Sequence, residues 1–291
     1  MDRAVVSHLI YGSFFLDRPR WQIVSVPKAA CTAVKWWLWE WQAPHRLNRP
    51  FISAETTPDL VIHDRIRADL PMYQVASERE LMQRLGQEDC FRFAFVRNPY
   101  SRIFSSWSSK VVLTEPSQTN DLAGLERFLP APGHPESIAP AFERFLEYLA
   151  SVQDDVRWRN SHWRPQTHLL LWPRVKFHIY RVEAMASAWQ HLQSLVPDTV
   201  LPPFRRVNES FLPYSASFLS GRSRTLIKTL YANDFAAFAY DPDTVPSGRD
   251  LPDEAVAQAL AIIEPVRARN RRIWEIANDA RLLMLRNRGV Q

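Results

Sequence analysis

The sequence of 291 residues is poor in several features, and each shortage excludes a class of protein. Two cysteines, Cys31 and Cys90, are too few for a disulfide framework and indicate reduced thiols in a cytosol-like compartment. No apolar run approaches the roughly 18 residues of a membrane-spanning helix. The segment Ala4–Leu16 has the hydrophobicity of a signal peptide, but His8 interrupts it and no small-residue cleavage site follows. We therefore predict a buried N-terminal segment.

Lysine is also scarce. The chain has 36 Lys+Arg against 31 Asp+Glu, a net charge of +5 and a pI near 9.4. Its lysines are Lys28, Lys35, Lys110, Lys176 and Lys228. In a chain that uses arginine for most positive charges, a lysine indicates a position that needs a compact point charge. The basic balance suits anionic partners, from nucleotides to acidic glycans, without choosing among them.

Strand and helix patterns alternate along the chain. The hydrophobic content of 46% is enough for one sizeable core. We predict strands at Trp21–Val26, Phe91–Val96 and Val175–Tyr180, and helices at Ala33–Trp41, Arg102–Val112, Ala141–Arg157 and Ala184–Val196. This order favours an α/β fold in three layers, with a central parallel sheet flanked by helices. We expect one domain over residues 1–240 and a helical C-terminal extension over 241–291, packed on the same domain, with Asp253–Asn287 as a helix.

The first candidate site is the turn after the first strand, Ser25–Thr32 (SVPKAACT). Its small residues let a ligand approach the backbone, and the helix start offers unpaired N–H groups to an anion. Lys28 adds a mobile charge and Thr32 a hydroxyl. This layout is typical of a phosphate-binding loop, but the glycines and the Gly-Lys-Ser/Thr ending of the Walker type are missing, which weakens a kinase or NTPase assignment. The alternative is an ordinary strand–helix connection with a solvated lysine.

The second candidate site follows the second strand. Arg97 leaves the strand end, where open α/β sheets bind ligands, and Ser105 comes eight residues later. A guanidinium and a hydroxyl that converge there suit a phosphate group. The alternative is an arginine that caps a nearby carbonyl and a serine that faces solvent.

Together the two motifs resemble the family 2 carbohydrate sulfotransferases, which include chondroitin and HNK-1 types and many bacterial relatives. The segments that carry the resemblance are Pro27–Thr32 (PKAACT), Phe95–Ser105 (FVRNPYSRIFS), Asn160–Gln166 (NSHWRPQ), Arg181–Glu183 (RVE), Asn208–Ser210 (NES) and Tyr231–Phe235 (YANDF). The resemblance spans about Trp21–Tyr240. One departure is Asn98, where the family usually carries aspartate.

The resemblance implies a P-loop-like site for the donor 3′-phosphoadenosine 5′-phosphosulfate (PAPS). Carried over by position, Lys28, Ala29, Ala30, Cys31 and Thr32 would hold its 5′-phosphosulfate, and Arg97 with Ser105 its 3′-phosphate. Lys28 would also be catalytic, because it stabilises the charge that develops on the leaving phosphate. The acceptor would be a hydroxyl of a carbohydrate or glycoconjugate. No metal-ligand spacing stands out, and we expect no metal.

A base must take the acceptor proton, and a histidine suits this near neutral pH. The resemblance implies a histidine between the two donor motifs, where the chain has His45 and His63. We predict His63, at the end of a short apolar run that resembles a strand end, with Asp64 or another carboxylate orienting its ring. His162, in the strongest of the later motifs, is the rival.

Other assignments compete with this one. Animal relatives of this family are Golgi proteins with an N-terminal anchor, and because no anchor is visible here we expect a cytoplasmic protein. We expect no nucleic-acid partner and no transmembrane segment. The alternatives are a sulfotransferase for a small non-sugar alcohol or lipid, a P-loop kinase, and a non-catalytic basic module that binds polyanions such as nucleic acid or acidic polysaccharide.

Overall fold

The computed structural model of the chain describes residues 2–46, 58–119, 122–171, 173–207 and 210–287. In these residues one sheet is formed, with the strand order β1-β2-β3-β4. Its strands are β1 (Ser13–Asp17), β2 (Arg20–Val24), β3 (Phe91–Val96) and β4 (His178–Arg181). β2, β3 and β4 are parallel, whereas β1 pairs antiparallel with β2. The prediction of an α/β fold is confirmed. The sheet is mixed and not purely parallel, because the antiparallel strand β1 is added at the edge of the three parallel strands.

The antiparallel strand β1 lies in the N-terminal segment, for which the sequence predicted burial but no strand. β1 and β2 form a tight hairpin in which Phe14 pairs with Ile23 and Leu16 with Trp21. Successive side chains of a strand face opposite sides of the sheet, and here both sides are covered, so Phe14, Phe15 and Leu16 are all buried. A strand without alternating polar residues cannot be distinguished from a helix segment by its pattern alone.

Helices cover both faces of the sheet. Their bounds are α1 (Arg3–Gly12), α2 (Cys31–Gln42), α3 (Ile62–Asp69), α4 (Glu78–Leu85), α5 (Pro99–Ser106), α6 (Pro116–Thr119), α7 (Ile138–Ser151), α8 (Asp154–Arg157), α9 (Gln166–Leu169), α10 (Met185–Ser194), α11 (Gly221–Leu230), α12 (Ala232–Ala237) and α13 (Asp253–Asn287). A π-helical turn over Trp107–Val111 follows α5 directly. The predicted helix over 102–112 is therefore an α-helix that passes into a π-helical turn.

Two apolar clusters separate the layers. On one face of the sheet, Ile23 and Phe93 pack with α2, α3 and α10. On the other face, Val24 and Ala94 pack with α1, α4, α5 and α7. Trp37 and Trp39 of α2 are buried in the first cluster, which accounts for part of the tryptophan-rich sequence of that helix. The sheet is thus held between helices, and its carboxyl end is left for loops.

The long helix α13 contacts the body of the protein near the π-helical turn. Arg267 donates from Nε to the carbonyl of Val112 at 2.7 Å, and Asn270 donates from Nδ2 to the carbonyl of Leu113 at 3.0 Å. The division into a domain over 1–240 and an extension over 241–291 stays a prediction. In the described part of the chain no helix is both long and apolar enough to cross a membrane.

Candidate active site

The loop between β2 and α2 curls tightly at the carboxyl end of the sheet. Lys28 and Ala30 have φ angles of 64° and 58°, in the left-handed region that non-glycine residues avoid. Such conformations cost about 1–3 kcal/mol each and concentrate at functional sites. α2 begins at Cys31 with Ala30 as its N-cap residue, and no side chain caps it. The start of α2 therefore has the dipole end with which helices bind anions.

Lys28 supplies the positive charge of this loop. Its Nζ donates to Ser109 Oγ at 2.8 Å, and that hydroxyl donates to the carbonyl of Ser105 at 2.8 Å. Burial, and then the charge of Lys110, lower the pKa of Lys28 to about 7. A lysine with this pKa is only half charged near neutrality, and an anion bound beside it would favour the charged form.

Arg97 lies at the carboxyl end of β3 and touches the loop. Its Nη1 donates to the carbonyl of Lys28 at 3.5 Å, and its Nε donates to Ser101 Oγ at 3.0 Å. Gln166 holds the Arg97 backbone from both sides, with Oε1 2.9 Å from the amide nitrogen and Nε2 2.9 Å from the carbonyl. Burial lowers the pKa of the guanidinium, as expected for a desolvated cation. The two predicted motifs thus meet at one place.

The later motifs hold this place together. Asp234, which is fully buried, accepts hydrogen bonds from the backbone N–H of Gln166 and of Thr167, both at 2.8 Å, and from the Thr167 hydroxyl at 2.8 Å. These bonds fix the start of α9, which places Gln166 against Arg97. The YANDF motif therefore acts on the candidate site through Gln166.

Asn98 begins α5 as its N-cap. Its Oδ1 accepts from the backbone N–H of Tyr100 at 3.0 Å, and its own N–H donates to Glu183 Oε1 at 2.9 Å. Glu183 in turn accepts from the Tyr240 hydroxyl at 2.9 Å. An N-cap needs an acceptor oxygen and no charge, so asparagine serves here as well as aspartate would. The departure from the pattern of the resembled family leaves the helix start intact.

Arg97 and Ser105 were predicted to hold one phosphate together, and in the structure the guanidinium bonds to Ser101. Ser105 is half-buried, and its carbonyl accepts from Ser109. Its role toward a phosphate stays a prediction. Sequence reasoning missed Ser101 and Ser109, which belong to the same serine-rich run. Their helical spacing of four residues from Ser105 was the signal that could have found them.

His63 is the second residue of α3, so the expectation of a strand end is wrong. Ile62 and Ile66 of this helix are buried at helical spacing. The His63 ring lies between Lys35 Nζ, 2.8 Å from Nδ1, and Thr32 Oγ1, 3.4 Å from Nε2. The exposed Asp64 is therefore not the group that holds the ring nitrogens. Burial and then the charges of nearby lysines lower the pKa of His63 far below its usual range.

His162 lies in the same region. Its Nδ1 is 2.9 Å from Asn160 Oδ1, and its carbonyl accepts from Ser106 Oγ at 2.6 Å. Burial, followed by the charges of Lys110 and Lys28, lowers its pKa well below 6.5. His45, by contrast, is exposed in the short 3-10 segment Pro44–Arg46.

Arg102 joins the loop between β2 and α2 to the loop that carries His162. Its side chain is 1% exposed. It donates from Nε to the carbonyl of Pro27 at 3.1 Å, from Nη1 to that of Arg164 at 2.9 Å and from Nη2 to that of Ser161 at 3.3 Å. Sequence analysis did not single out Arg102, although it lies inside the second motif.

Positive charges outnumber negative charges among the described residues of the site, where Glu183 acts on Arg97 and Asp234 acts on Arg102. Its cations are Lys28, Lys35, Lys110, Arg97 and Arg102. Glu115 pairs with Lys110 at 2.6 Å. Ala29 is buried, and Cys31 is half-buried with its Sγ 3.9 Å from Thr32 Oγ1. This cluster of cations suits a ligand with several negative charges.

Comparison with known proteins decides the family. The profile of the sulfotransferase family matches residues 15–241, more than half of the chain. The chain belongs to the sulfotransferase family. α1, at Arg3–Gly12, and α13 lie outside the matched residues.

Several relatives from the family resemble this chain. Carbohydrate sulfotransferase 10 of Pongo abelii is 28% identical over 222 residues, which cover 68% of this chain and 60% of the relative. Carbohydrate sulfotransferase 14 of Homo sapiens is 26% identical over 248 residues, which cover 82% of this chain and 61% of the relative. The chain thus spans about three fifths of these two relatives. No solved structure is similar enough to count as a match.

A cavity of about 300 Å³ lies beside the segment 160–163, which contains His162. Its lining includes Tyr148, Arg159, Asn160, Ser161 and Trp163. Among the described residues, no group of three or more His, Cys, Asp or Glu side chains is placed to hold a metal ion. Asn208 and Glu209 of the NES motif lie outside the described residues.

Proposed function

We propose that this chain is a PAPS-dependent sulfotransferase, which moves a sulfuryl group to a hydroxyl of a carbohydrate or glycoconjugate. The observation that carries the proposal is the contact of Arg97 with the carbonyl of Lys28, 3.5 Å apart, within a cluster of desolvated cations. This contact joins the two segments that the family resemblance assigns to the two phosphate groups of the donor. PAPS and its product both carry two phosphate groups, and few other common nucleotides carry one at the 3′ position.

The residues present fit such a donor. The β2–α2 loop, with Lys28 and Ala30 in left-handed conformations, would act as a P-loop-like cradle for the 5′-phosphosulfate together with Ala29, Cys31 and Thr32. Arg97, with Ser105 or Ser101, would hold the 3′-phosphate. The cations at this place outnumber the carboxylates that act on them, Glu115, Glu183 and Asp234, so a dianionic group would be stabilised there.

When bound, PAPS supplies a sulfuryl group activated by its bond to phosphate. Lys28 and the start of α2 would lie where negative charge grows on the leaving phosphate, and they would stabilise the transition state more than the ground state. In-line transfer of this kind parallels phosphoryl transfer. The sulfuryl group carries less negative charge than a phosphoryl group, so the cations of the chain suffice in principle without a metal.

The acceptor is proposed from the relatives and from the cavity. The names of the relatives specify carbohydrate sulfotransferases. The cavity beside His162 offers aromatic side chains, an amide and an arginine, which are the groups that hold sugar rings and their hydroxyls. Tyr148, Trp163, Asn160 and Arg159 would make these contacts.

A transfer assay tests the acceptor class. The protein is incubated with ³⁵S-labelled PAPS and separate pools of desulfated glycans, simple sugars, small alcohols and lipids. We expect label only in the glycan or sugar pools, and Arg159→Ala should weaken that transfer while the exposed Arg174→Ala control leaves it unchanged. Label only in the alcohol or lipid pools would make the enzyme a sulfotransferase for non-sugar acceptors. Tight, strongly salt-dependent binding of polyanions, with no transfer to any pool and no preference for the 3′-phosphorylated nucleotide, would support the non-catalytic module instead.

A further inference from the structure

Arg67 is a half-buried cation near His63, the predicted base. It follows His63 by four residues on α3, so the two side chains lie on the same face of the helix, with their Cβ atoms about 5–6 Å apart. Nη1 of Arg67 is buried and has no hydrogen-bond partner among the described residues, whereas the nearby Arg65 pairs with Asp69 at 3.3 Å. Buried polar atoms are nearly always satisfied, so this nitrogen lacks an acceptor that a ligand could supply.

Tyr11 of α1 holds the Arg67 side chain. The guanidinium carbon of Arg67 lies 4.9 Å from the centre of the Tyr11 ring, and Lys35 Nζ lies 4.5 Å from the same centre. The Tyr11 hydroxyl donates to the carbonyl of His63 at 3.5 Å, which ties the ring to the start of α3. Two positive charges therefore lie close to one aromatic ring, and an anion bound beside them would reduce their mutual repulsion.

Of these two cations, Arg67 is the one that a ligand can reach from solvent. Lys35 is 2% exposed and its Nζ lies 2.8 Å from Nδ1 of His63, whereas Tyr11 is 40% exposed and Arg67 is half-buried. α1 lies outside residues 15–241, which the family profile matches, so the contact between Tyr11 and Arg67 is a feature that the profile does not describe. Such a contact suits the selection of a particular acceptor better than a step that the whole family shares.

The chemistry of a guanidinium indicates what it would bind. Its planar set of N–H donors matches the two oxygens of a carboxylate or of a sulfate ester, and such charge-assisted pairs are stronger than hydrogen bonds to neutral hydroxyls. A sugar whose hydroxyl reaches His63 would bring its own substituents, or those of the next sugar, within reach of Arg67, which lies one helical turn away.

We propose that Arg67 binds an anionic group of the acceptor glycan, a carboxylate or a sulfate ester, and that the enzyme thereby selects acidic acceptors. Tyr11 is the positioning residue, because its ring holds the guanidinium next to His63. The proposal rests on the proposed sulfuryl transfer and specifies its acceptor class. Arg67 binds the substrate and takes no part in the transfer of the sulfuryl group, so its loss acts mainly on KM.

Three matched acceptors test the proposal in a transfer assay with ³⁵S-labelled PAPS. They are an unsulfated tetrasaccharide that contains uronic acid, the same tetrasaccharide with its carboxylates converted to neutral methyl amides, and this amide with one sulfate ester. We expect kcat/KM to be about 10–100-fold higher for an anionic probe than for the neutral amide, and the probe that shows the preference identifies the carboxylate or the sulfate as the group bound. Arg67→Gln should remove the preference, and the exposed control Arg174→Gln should keep it. Equal kcat/KM for the three probes in the wild type, or a preference that persists in Arg67→Gln, would overturn the proposal.

Further variants separate binding of the anion from a structural role. Arg67→Lys keeps the charge without the planar set of donors and should retain only part of the preference. Tyr11→Phe keeps the ring and should preserve it. Tyr11→Leu should raise KM for the anionic probe and leave KM for the neutral amide nearly unchanged. An equal rise for both probes in Tyr11→Leu would show that the ring only supports the fold.

Calorimetry without turnover distinguishes this proposal from the proposed function. The three tetrasaccharides and 3′-phosphoadenosine 5′-phosphate are titrated separately into the wild type and Arg67→Gln. We expect Arg67→Gln to weaken binding of the preferred anionic probe by about 10–100-fold. If the wild type transfers label but binds the anionic and neutral probes equally, the proposal for Arg67 is wrong and the proposed function stands. If the wild type neither binds the nucleotide nor transfers label, the proposed function fails, whereas binding of an anionic probe that depends on Arg67 would still support the anion site.

Discussion

The lowered pKa of Lys28 predicts that binding of the donor product takes up a proton. The free side chain titrates at about 7 because it is buried and lies near Lys110. A bound phosphate favours its charged form, so the pKa rises in the complex. Affinity for the nucleotide is therefore full below pH 7, where the lysine is already charged. Above pH 7 it falls, because part of the binding free energy is used to protonate the lysine.

The magnitude follows from the fraction of Lys28 that is charged before binding. This fraction is about 0.5 at pH 7 and about 0.01 at pH 9, so if only the ammonium form binds, affinity falls about 50-fold over this range. The phosphates of the ligand, with a pKa near 6, are almost fully ionised throughout and change little.

Calorimetry measures both quantities. Titrations of 3′-phosphoadenosine 5′-phosphate in two buffers of different ionisation enthalpy give the protons taken up, and we expect about 0.5 at pH 7 and nearly one at pH 9. Lys28→Arg is the matched control, because a guanidinium stays charged over this range and should bind with little dependence on pH. Affinity that is constant from pH 7 to 9 in the wild type, or an equal slope in Lys28→Arg, would refute the reasoning.

Three further predictions concern stability. Gly248→Ala should lower the free energy of unfolding by about 2 kcal/mol or more, because φ is +78° and an added Cβ would clash with the Tyr214 carbonyl. The control Gly133→Ala, with φ of +75° and open space around it, should lower it by only about 1 kcal/mol of backbone strain. Equal losses for the two variants in denaturant unfolding would contradict this. Asp234→Asn should lower stability by about 2–4 kcal/mol, because the new amide faces N–H donors, while the exposed Asp155→Asn should be nearly neutral in thermal unfolding. Burial lowers the pKa of His8 to about 3, so the stability that the neutral ring contributes is present above about pH 6.5 and is lost as the pH falls. By pH 5 the loss in the free energy of unfolding is about 2 kcal/mol. His8→Leu should remove this part of the acid sensitivity when urea unfolding is compared at pH 7 and pH 5.

The elements with strong local signals were predicted well from the sequence. β3 has the predicted bounds Phe91–Val96, because an apolar run there ends at Asn98 and Pro99. α13 has the predicted bounds Asp253–Asn287, and it continues through Pro265. The edge strand β1 was missed because both of its faces are buried, and its sequence therefore lacks alternation.

The sequence motifs indicated which segments form the candidate site, but not the contacts that their side chains make. The strand ends place Lys28 and Arg97 at one edge of the sheet, which is a consequence of parallel pairing. The bond of Lys35 to His63 joins residues 28 positions apart on two helices, and no local pattern encodes it. The same holds for Arg102, whose hydrogen bonds reach three carbonyls of two distant loops. Such contacts depend on how the helices pack, which the sequence periodicity does not specify.

The most direct test of the central claim is the selectivity of the donor site, measured by calorimetry at pH 7 and fixed salt. We predict that the protein binds 3′-phosphoadenosine 5′-phosphate far more tightly than ADP, and that Arg97→Ala removes this preference while an exposed control, Arg174→Ala, keeps it. A saturating ligand at 100 times its Kd should also stabilise the fold by about 2.7 kcal/mol. Equal affinity for the two nucleotides, or a preference that persists in Arg97→Ala, would contradict the account.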